Sequence, residues 1–136
     1  MSLIDDIKKH EGFKAKPYRC TEGYLTVAYG KRVDYIEVSK QTAEEWLKKD
    51  LEDLEARVEA TFGWYYNSPQ TVKDVVMNMC YQLGVSGFSK FKKTIDLLDK
   101  GKYDKASKEM LNSLWSRQTP QRSKELSDKI KQLGEK

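Results

Sequence analysis

The sequence predicts an α+β fold, in which a small N-terminal lobe with an antiparallel β-hairpin or sheet is joined by a long helix to a helical C-terminal lobe. Within residues 13–38, Tyr, Leu, Thr and Val alternate through YLTVAYG, and Pro17, Gly23 and Gly30 punctuate the segment as turn residues. Apolar residues then repeat at helical spacing over about residues 40–60. Shorter helical patterns fill residues 61–136. We expect a single domain over residues 1–136, with a first helix that belongs to the helical lobe and a ligand-binding cleft between the lobes.

The first helix is predicted to begin after Ser2 and to end at Gly12. Ser2 suits the N-cap position, Asp5 and Asp6 place negative charge in the first turn, and Gly12 is a typical stop. In the following segment, YLTVAYG alternates in the manner of a strand. This predicts a strand within a short antiparallel sheet.

The remaining elements are predicted to be helices. Ser39 is the expected N-cap of the long helix. Ser68 and Pro69 are expected at the N-cap and first turn of a central buried helix that ends at Gly84. Three more helices are expected: one from Phe91 to Lys100 that Gly101 stops, one from Tyr103 to Trp115, and one that opens at Thr119 and Pro120.

The charge pattern favours a solvated surface over a nucleic-acid groove. The chain has 25 Lys and Arg against 21 Asp and Glu, a formal charge of +4, and a mean hydropathy of −0.78. This excess mildly favours polyanions such as cell wall or nucleic acid. Basic and acidic residues are interleaved, however, as in KKDLEDLEAR. We therefore expect no nucleic-acid partner, and keep a basic helical nucleic-acid-binding module as an alternative.

We expect no cofactor, no metal and no stable membrane association. Cys20, Cys80 and the single His10 lack the spacing of metal ligands. The number of cysteines leaves a Cys20–Cys80 disulfide undecided. Cys80 lies within an apolar helical pattern, however, and more resembles a core residue. The N-terminus has no signal-like apolar run, and no stretch approaches the length of a membrane span. Synthesis is expected in the cytoplasm.

Glu11 is the first candidate for chemistry. It falls beside Gly12 at a helix end, where the carbonyl groups disfavour a negative charge. If a cleft also removes water, both effects raise the proton affinity of the carboxyl, as a general acid requires. From the residues alone, a solvated glutamate at a helix end is the more common case.

The stretch EGFKAKPYRCTEGYLTVAYG, from Glu11 to Gly30, resembles the active-site segment of the phage-type lysozymes, glycoside hydrolase family 24. In that family a catalytic glutamate is followed after eight residues by Asp, or in some members Cys, and after five more by Thr. Glu11, Cys20 and Thr26 keep both spacings. The resemblance implies that these three residues are catalytic.

Two later segments, MNMCYQLG and SLWSRQTPQR, are similar to the helical lobe of T-even members of that family. The resemblance implies that Asn78 and Gln82 line the substrate cleft, and their spacing puts them on one face of a helix. It also implies that Arg122 faces the catalytic glutamate. An arginine there orients the acid and lowers its pKa. The helix end and the loss of water act in the opposite direction and raise that pKa.

The chain departs from the family pattern near this segment. Cys20 replaces the second carboxylate that glycosidases usually use, and Lys31 stands where a histidine is common. The connection from the hairpin to the long helix is also shorter. These departures motivate a second alternative, a catalytically weakened relative that binds peptidoglycan without cutting it.

The resemblance implies a muramidase that hydrolyses the β-1,4 bond between N-acetylmuramic acid and N-acetylglucosamine. Glu11 is expected to act as the acid, Cys20 as base or electrostatic partner, and Thr26 to position the water. We expect a monomer that a phage uses for host lysis. Lacking a signal segment, it would depend on a membrane-opening holin to pass from the host cytoplasm to the periplasm or cell wall.

Overall fold

The α+β fold is confirmed by a computed structural model that describes residues 2–135. Over that range the chain forms seven α-helices and one three-stranded antiparallel sheet. Contacts group it into two compact units, the first ending at Glu44 and the second beginning at Glu45.

The first unit contains a helix followed by the sheet. Ser2 caps the helix as predicted, since its hydroxyl accepts a hydrogen bond from the Asp5 main-chain N–H at 3.2 Å. The strands lie in the order β1-β2-β3. This unit includes α1, which the sequence analysis assigned to the helical lobe. Its elements are α1 (Leu3–Glu11), β1 (Lys14–Arg19), β2 (Leu25–Ala28), β3 (Lys31–Arg32) and a short 3-10 helix (Val33–Tyr35).

The long helix, α2, spans Lys40–Thr61, which confirms the helix predicted for about residues 40–60. Ser39 is its N-cap, because the Ser39 hydroxyl accepts a hydrogen bond from the Thr42 main-chain N–H at 3.1 Å. The helix begins in the first unit and continues into the second.

The second unit contains the remaining helices. Gly84 has φ 76° and ψ 161°, so it interrupts α3 at the residue predicted to end that helix. Gly101 has φ 71° and follows α4, as expected of a stop. These helices are α3 (Gln70–Ser89), α4 (Lys92–Asp99), α5 (Tyr103–Leu111), α6 (Leu114–Gln118) and α7 (Pro120–Gly134).

Two local predictions in this unit are wrong. Ser68 does not cap α3, because its hydroxyl donates to the Trp64 carbonyl at 2.9 Å and Pro69 occupies the N-cap position. The helix expected from Tyr103 to Trp115 is two helices. The break falls at Asn112 (φ −92°, ψ 62°), and Ser113 starts the next helix by accepting a hydrogen bond from the Ser116 N–H.

The apolar core lies in the second unit. Among residues 2–44 only Thr26 is buried, whereas every long helix of the second unit contributes buried side chains. Each fully buried aliphatic or aromatic side chain contributes roughly 1.5–3 kcal/mol to folding. The core comprises Leu54, Val58, Phe62, Tyr65, Val72, Val75, Val76, Met79, Cys80, Phe88, Leu98, Ala106, Met110, Trp115, Leu126 and Ile130.

Both cysteines are free thiols, Cys20 half-buried and Cys80 buried. Within residues 2–135, no three His, Cys, Asp or Glu side chains are grouped so as to hold a metal ion. None of the helices in that range combines the length and the apolar character that crossing a membrane requires.

Candidate active site

Glu11 is the last residue of α1, as the sequence analysis expected. Gly12 ends the helix with φ 72°, and its N–H donates to the Lys8 carbonyl at 2.9 Å. Within the first unit Glu11 is not shielded from water, because its side chain is exposed. The physical reason is local, since α1 has no buried residue and the short sheet beside it buries only Thr26.

The carboxyl group of Glu11 lies against Gly30, in the turn between β2 and β3. A Cβ atom placed on Gly30 would lie 2.5 Å from Glu11 Oε2 and 2.9 Å from Glu11 Cδ. Gly30 also has φ 75°, a backbone conformation that costs other residues energy. Sequence reasoning recognised Gly30 as a turn residue, but a contact with Glu11 across 19 positions left no local signal.

Replacing Gly30 with alanine is therefore expected to displace the Glu11 carboxyl group. Misplacing a catalytic group by about 1 Å costs on the order of 10²-fold in rate. The backbone strain costs about 1–2 kcal/mol of folding free energy. Rates of reducing-sugar release from peptidoglycan and urea unfolding curves measure the two effects separately.

Gly101→Ala is the matched control for this strain. Gly101 has φ 71°, and among residues 2–135 no atom beyond its two chain neighbours lies within 4 Å of an added Cβ. It should lose similar stability and keep its activity. Equal losses of activity in the two variants would contradict a specific role of Gly30 beside Glu11.

Cys20 lies in a tight turn that follows β1. Its main-chain N–H donates to the Tyr24 carbonyl at 2.9 Å, and its carbonyl accepts from the Gly23 N–H at 2.9 Å. Hydrogen bonds from the main chain of Glu22 and Tyr24 lower the pKa of the Cys20 thiol, and the Thr26 side chain adds to this effect. Burial and the Glu22 carboxylate act in the opposite direction. The turn thus holds the pKa of the Cys20 thiol below its ordinary value.

Thr26 is held at the centre of the sheet. It pairs with Tyr18 on β1 and with Arg32 on β3, and its side chain is 3% exposed. The Thr26 hydroxyl donates to the Tyr24 carbonyl at 2.9 Å. The fold therefore brings Cys20 and Thr26 together around the main chain of Tyr24.

The other three predicted site residues, Asn78, Gln82 and Arg122, lie in the second unit. Arg122, in the first turn of α7, donates from Nε to Asn78 Oδ1 at 2.9 Å and from Nη2 to the Asn78 carbonyl at 3.1 Å. Asn78 and Gln82 both lie on α3. Because Arg122 and Glu11 lie in different units, their pairing stays a prediction.

Trp115 is a core residue in contact with Gln82, a contact that the sequence did not predict. Its indole Nε1 donates to Gln82 Oε1 at 2.9 Å, and its ring meets the Phe91 ring edge-on with centroids 5.9 Å apart. A cavity of about 570 Å³ opens beside it. The cavity is lined by Leu83, Gly87, Lys90, Phe91, Lys92, Lys93, Thr94, Glu109, Asn112, Ser113, Leu114, Trp115 and Gln118.

Comparison with known proteins shows what the chain is related to. The family model described as phage lysozyme matches residues 8–131. The chain belongs to the phage lysozyme family. Membership in this lysozyme family indicates a hydrolase of the glycosidase type with a muramidase-like function on peptidoglycan.

Curated relatives agree with this family. Probable T4-type lysozymes 1 and 2 of Dictyostelium discoideum are 28% and 29% identical to this chain over 151 aligned residues. Each alignment covers 90% of this chain and 89% of the relative. The pre-baseplate central spike protein Gp5 of Enterobacteria phage T4 is 24% identical over 151 aligned residues, covering 90% of this chain but 26% of that protein. The chain is thus similar both to whole lysozymes and to a segment of a larger phage protein.

Proposed function

We propose that the protein is an endo-acting muramidase that hydrolyses the β-1,4 bond between N-acetylmuramic acid and N-acetylglucosamine in peptidoglycan. Family membership supports the reaction class. The observation that carries the finer assignment is the arrangement in the first unit. There Glu11 ends a helix against Gly30, and the Cys20 thiol lies beside the Thr26 hydroxyl.

In the proposed reaction, Glu11 donates its proton to the leaving glycosidic oxygen while a water molecule attacks the anomeric carbon from the opposite face. The C–O bond to the leaving sugar breaks as the bond to the water oxygen forms. Cys20, as thiolate, accepts a proton from that water or stabilises the cationic centre electrostatically. The buried and fixed Thr26 hydroxyl orients the water. The expected stereochemical outcome is inversion.

The second unit supplies the proposed substrate-binding residues. Asn78, Gln82 and Arg122 present amide and guanidinium groups that suit sugar hydroxyls and carboxylates. The cavity next to Trp115 has a volume typical of ligand sites, and Lys90, Lys92 and Lys93 line it. Peptidoglycan stem peptides carry carboxylates, which these lysines would attract.

We infer that a phage uses this monomeric protein for host lysis. Synthesis in the host cytoplasm would be followed by holin-dependent release, and the enzyme would then act in the periplasm or cell wall. Measuring host lysis with and without a co-expressed holin tests this part independently of the chemistry.

The reaction is tested with purified peptidoglycan and product analysis. We expect new reducing ends on N-acetylmuramic acid, released initially as the α-anomer because inversion of a β bond yields α. Reducing ends on N-acetylglucosamine would overturn the bond assignment, and an initial β-anomer would overturn inversion. Binding to sedimented walls without any release of sugar would support the weakened relative instead, which the missing carboxylate at Cys20 motivates.

A further inference from the structure

The guanidinium group of Arg32 lies between two tyrosine rings at the end of the sheet. Its Cζ atom is 3.7 Å from the centroid of the Tyr24 ring and 4.5 Å from that of the Tyr35 ring. A planar guanidinium both stacks on aromatic faces and is attracted by their negative charge. Arg32 therefore links β3 to the residue that precedes β2.

The polar contacts of Arg32 secure the same arrangement. Nη2 forms an ion pair with Asp34 Oδ2 at 2.9 Å, and Nη1 donates to the Tyr35 hydroxyl at 3.1 Å. Arg32 Nε is buried and has no hydrogen-bond partner within residues 2–135. An unsatisfied buried donor is costly, so the ring contacts and the ion pair must outweigh that cost.

The main chain of Tyr24 connects this stack to the candidate catalytic residues. Its carbonyl accepts hydrogen bonds from the Cys20 N–H and from the Thr26 hydroxyl, each at 2.9 Å. The Tyr24 main-chain N–H in turn donates to the Cys20 sulfur, which lowers the pKa of that thiol. A shift of Tyr24 would therefore disturb Cys20 and Thr26 together.

We propose that Arg32 is a positioning residue for the reaction, whose stack on the Tyr24 ring holds the main chain that orients Cys20 and Thr26. The effect on turnover rests on the proposed function. The effect on the thiol does not, because the reactivity of Cys20 is measurable without any substrate.

The positive charge of Arg32 is not what would act on the Cys20 thiol. The charged group that acts on the Cys20 thiol is the Glu22 carboxylate, while the neighbouring Arg19 donates to the Gly23 carbonyl at 3.1 Å. Arg32 acts through the geometry of Tyr24 instead. A lysine at position 32 keeps the charge but lacks the planar stack, so it should restore only part of the function.

The test measures the rate at which iodoacetamide alkylates Cys20 as a function of pH, with the modified peptide quantified by mass spectrometry. Cys80 serves as an internal reference, because burial raises the pKa of its thiol to about 11. In Arg32→Ala the alkylation midpoint should rise by about half a pH unit or more. The kcat on peptidoglycan should fall roughly fivefold, with KM within about twofold. Arg32→Lys should lie between Arg32→Ala and the unmodified chain.

Asp34→Asn is the matched control, since the asparagine Oδ1 can still accept a hydrogen bond from Arg32 Nη2 while only the negative charge is removed. Both rings stay in place, so its alkylation midpoint should not move. Tyr24→Leu should reproduce the Arg32→Ala shift, and it replaces that variant if the latter does not fold. An unchanged midpoint in both variants would overturn the proposal, even if their melting temperatures fall. If the unmodified chain does not hydrolyse peptidoglycan, the proposed function is overturned. The alkylation midpoints would still show whether Arg32 positions Cys20.

Discussion

Replacing Glu11 with glutamine should lower the rate of peptidoglycan hydrolysis by about 10³-fold or more, within the range known for the loss of a general acid. The amide has nearly the same shape and still hydrogen-bonds, but it has no proton to give to the leaving oxygen. Because Glu11 is exposed and makes no ion pair within residues 2–135, the free energy of unfolding should change by less than about 0.5 kcal/mol.

Turnover is measured as reducing-sugar release, and folding by circular dichroism and urea titration. Glu37→Gln is the matched control, because Glu37 is another exposed carboxylate of the first unit. It should retain full activity and stability. Full activity of Glu11→Gln on purified walls would remove Glu11 from the mechanism.

Changes at Cys20 should have the next largest effect. Cys20→Ala removes the proposed base and should slow hydrolysis by about 10²-fold, whereas Cys20→Asp restores a group that can accept a proton and should retain activity. Cys80→Ala is the control for loss of a thiol. It should keep the turnover number at a temperature well below its unfolding transition, since Cys80 belongs to the core.

The pH dependence distinguishes the thiolate from other roles of Cys20. Main-chain hydrogen bonds lower the pKa of the Cys20 thiol below its ordinary value, and the ionised form is the proposed active one. Activity should therefore rise with pH through that lowered pKa. In Cys20→Asp the rise should move to the range of a carboxyl group, near pH 4. An unchanged profile in Cys20→Asp, or full activity in Cys20→Ala, would show that the thiol is not involved.

Local sequence signals predicted most elements of the fold. Ser2 and Ser39 cap helices as expected, because an N-cap needs only a hydroxyl and an N–H three residues later. Gly84 and Gly101 interrupt or end helices, because positive φ favours glycine. Ser68 shows the limit of this reasoning, since its hydroxyl had a second partner in the Trp64 carbonyl and used that one.

The candidate site was predictable where it follows a short motif. The spacing of Glu11, Cys20 and Thr26 identified them through their resemblance to a known family, and the fold joins Cys20 to Thr26 within one turn and strand. The exposure of Glu11 was not predictable, because burial depends on what the rest of the chain packs against it. Arg122 was singled out by the same resemblance, but its bidentate contact with Asn78 was not.

By itself the sequence determined the fold class and the long helix, since these depend on spacing and on neighbours a few positions away. It singled out the residues of the proposed chemistry only through its resemblance to a known family. Only the tertiary structure decided that Gly30 touches Glu11, that Trp115 bonds to Gln82, and that Arg32 stacks on Tyr24. Of these contacts, those of Gly30 and Trp115 join residues 19 and 33 positions apart. The contact of Arg32 with Tyr24 is shorter in sequence but depends on how β2 and β3 pair. Local sequence patterns do not predict which distant side chains come into contact in the folded chain.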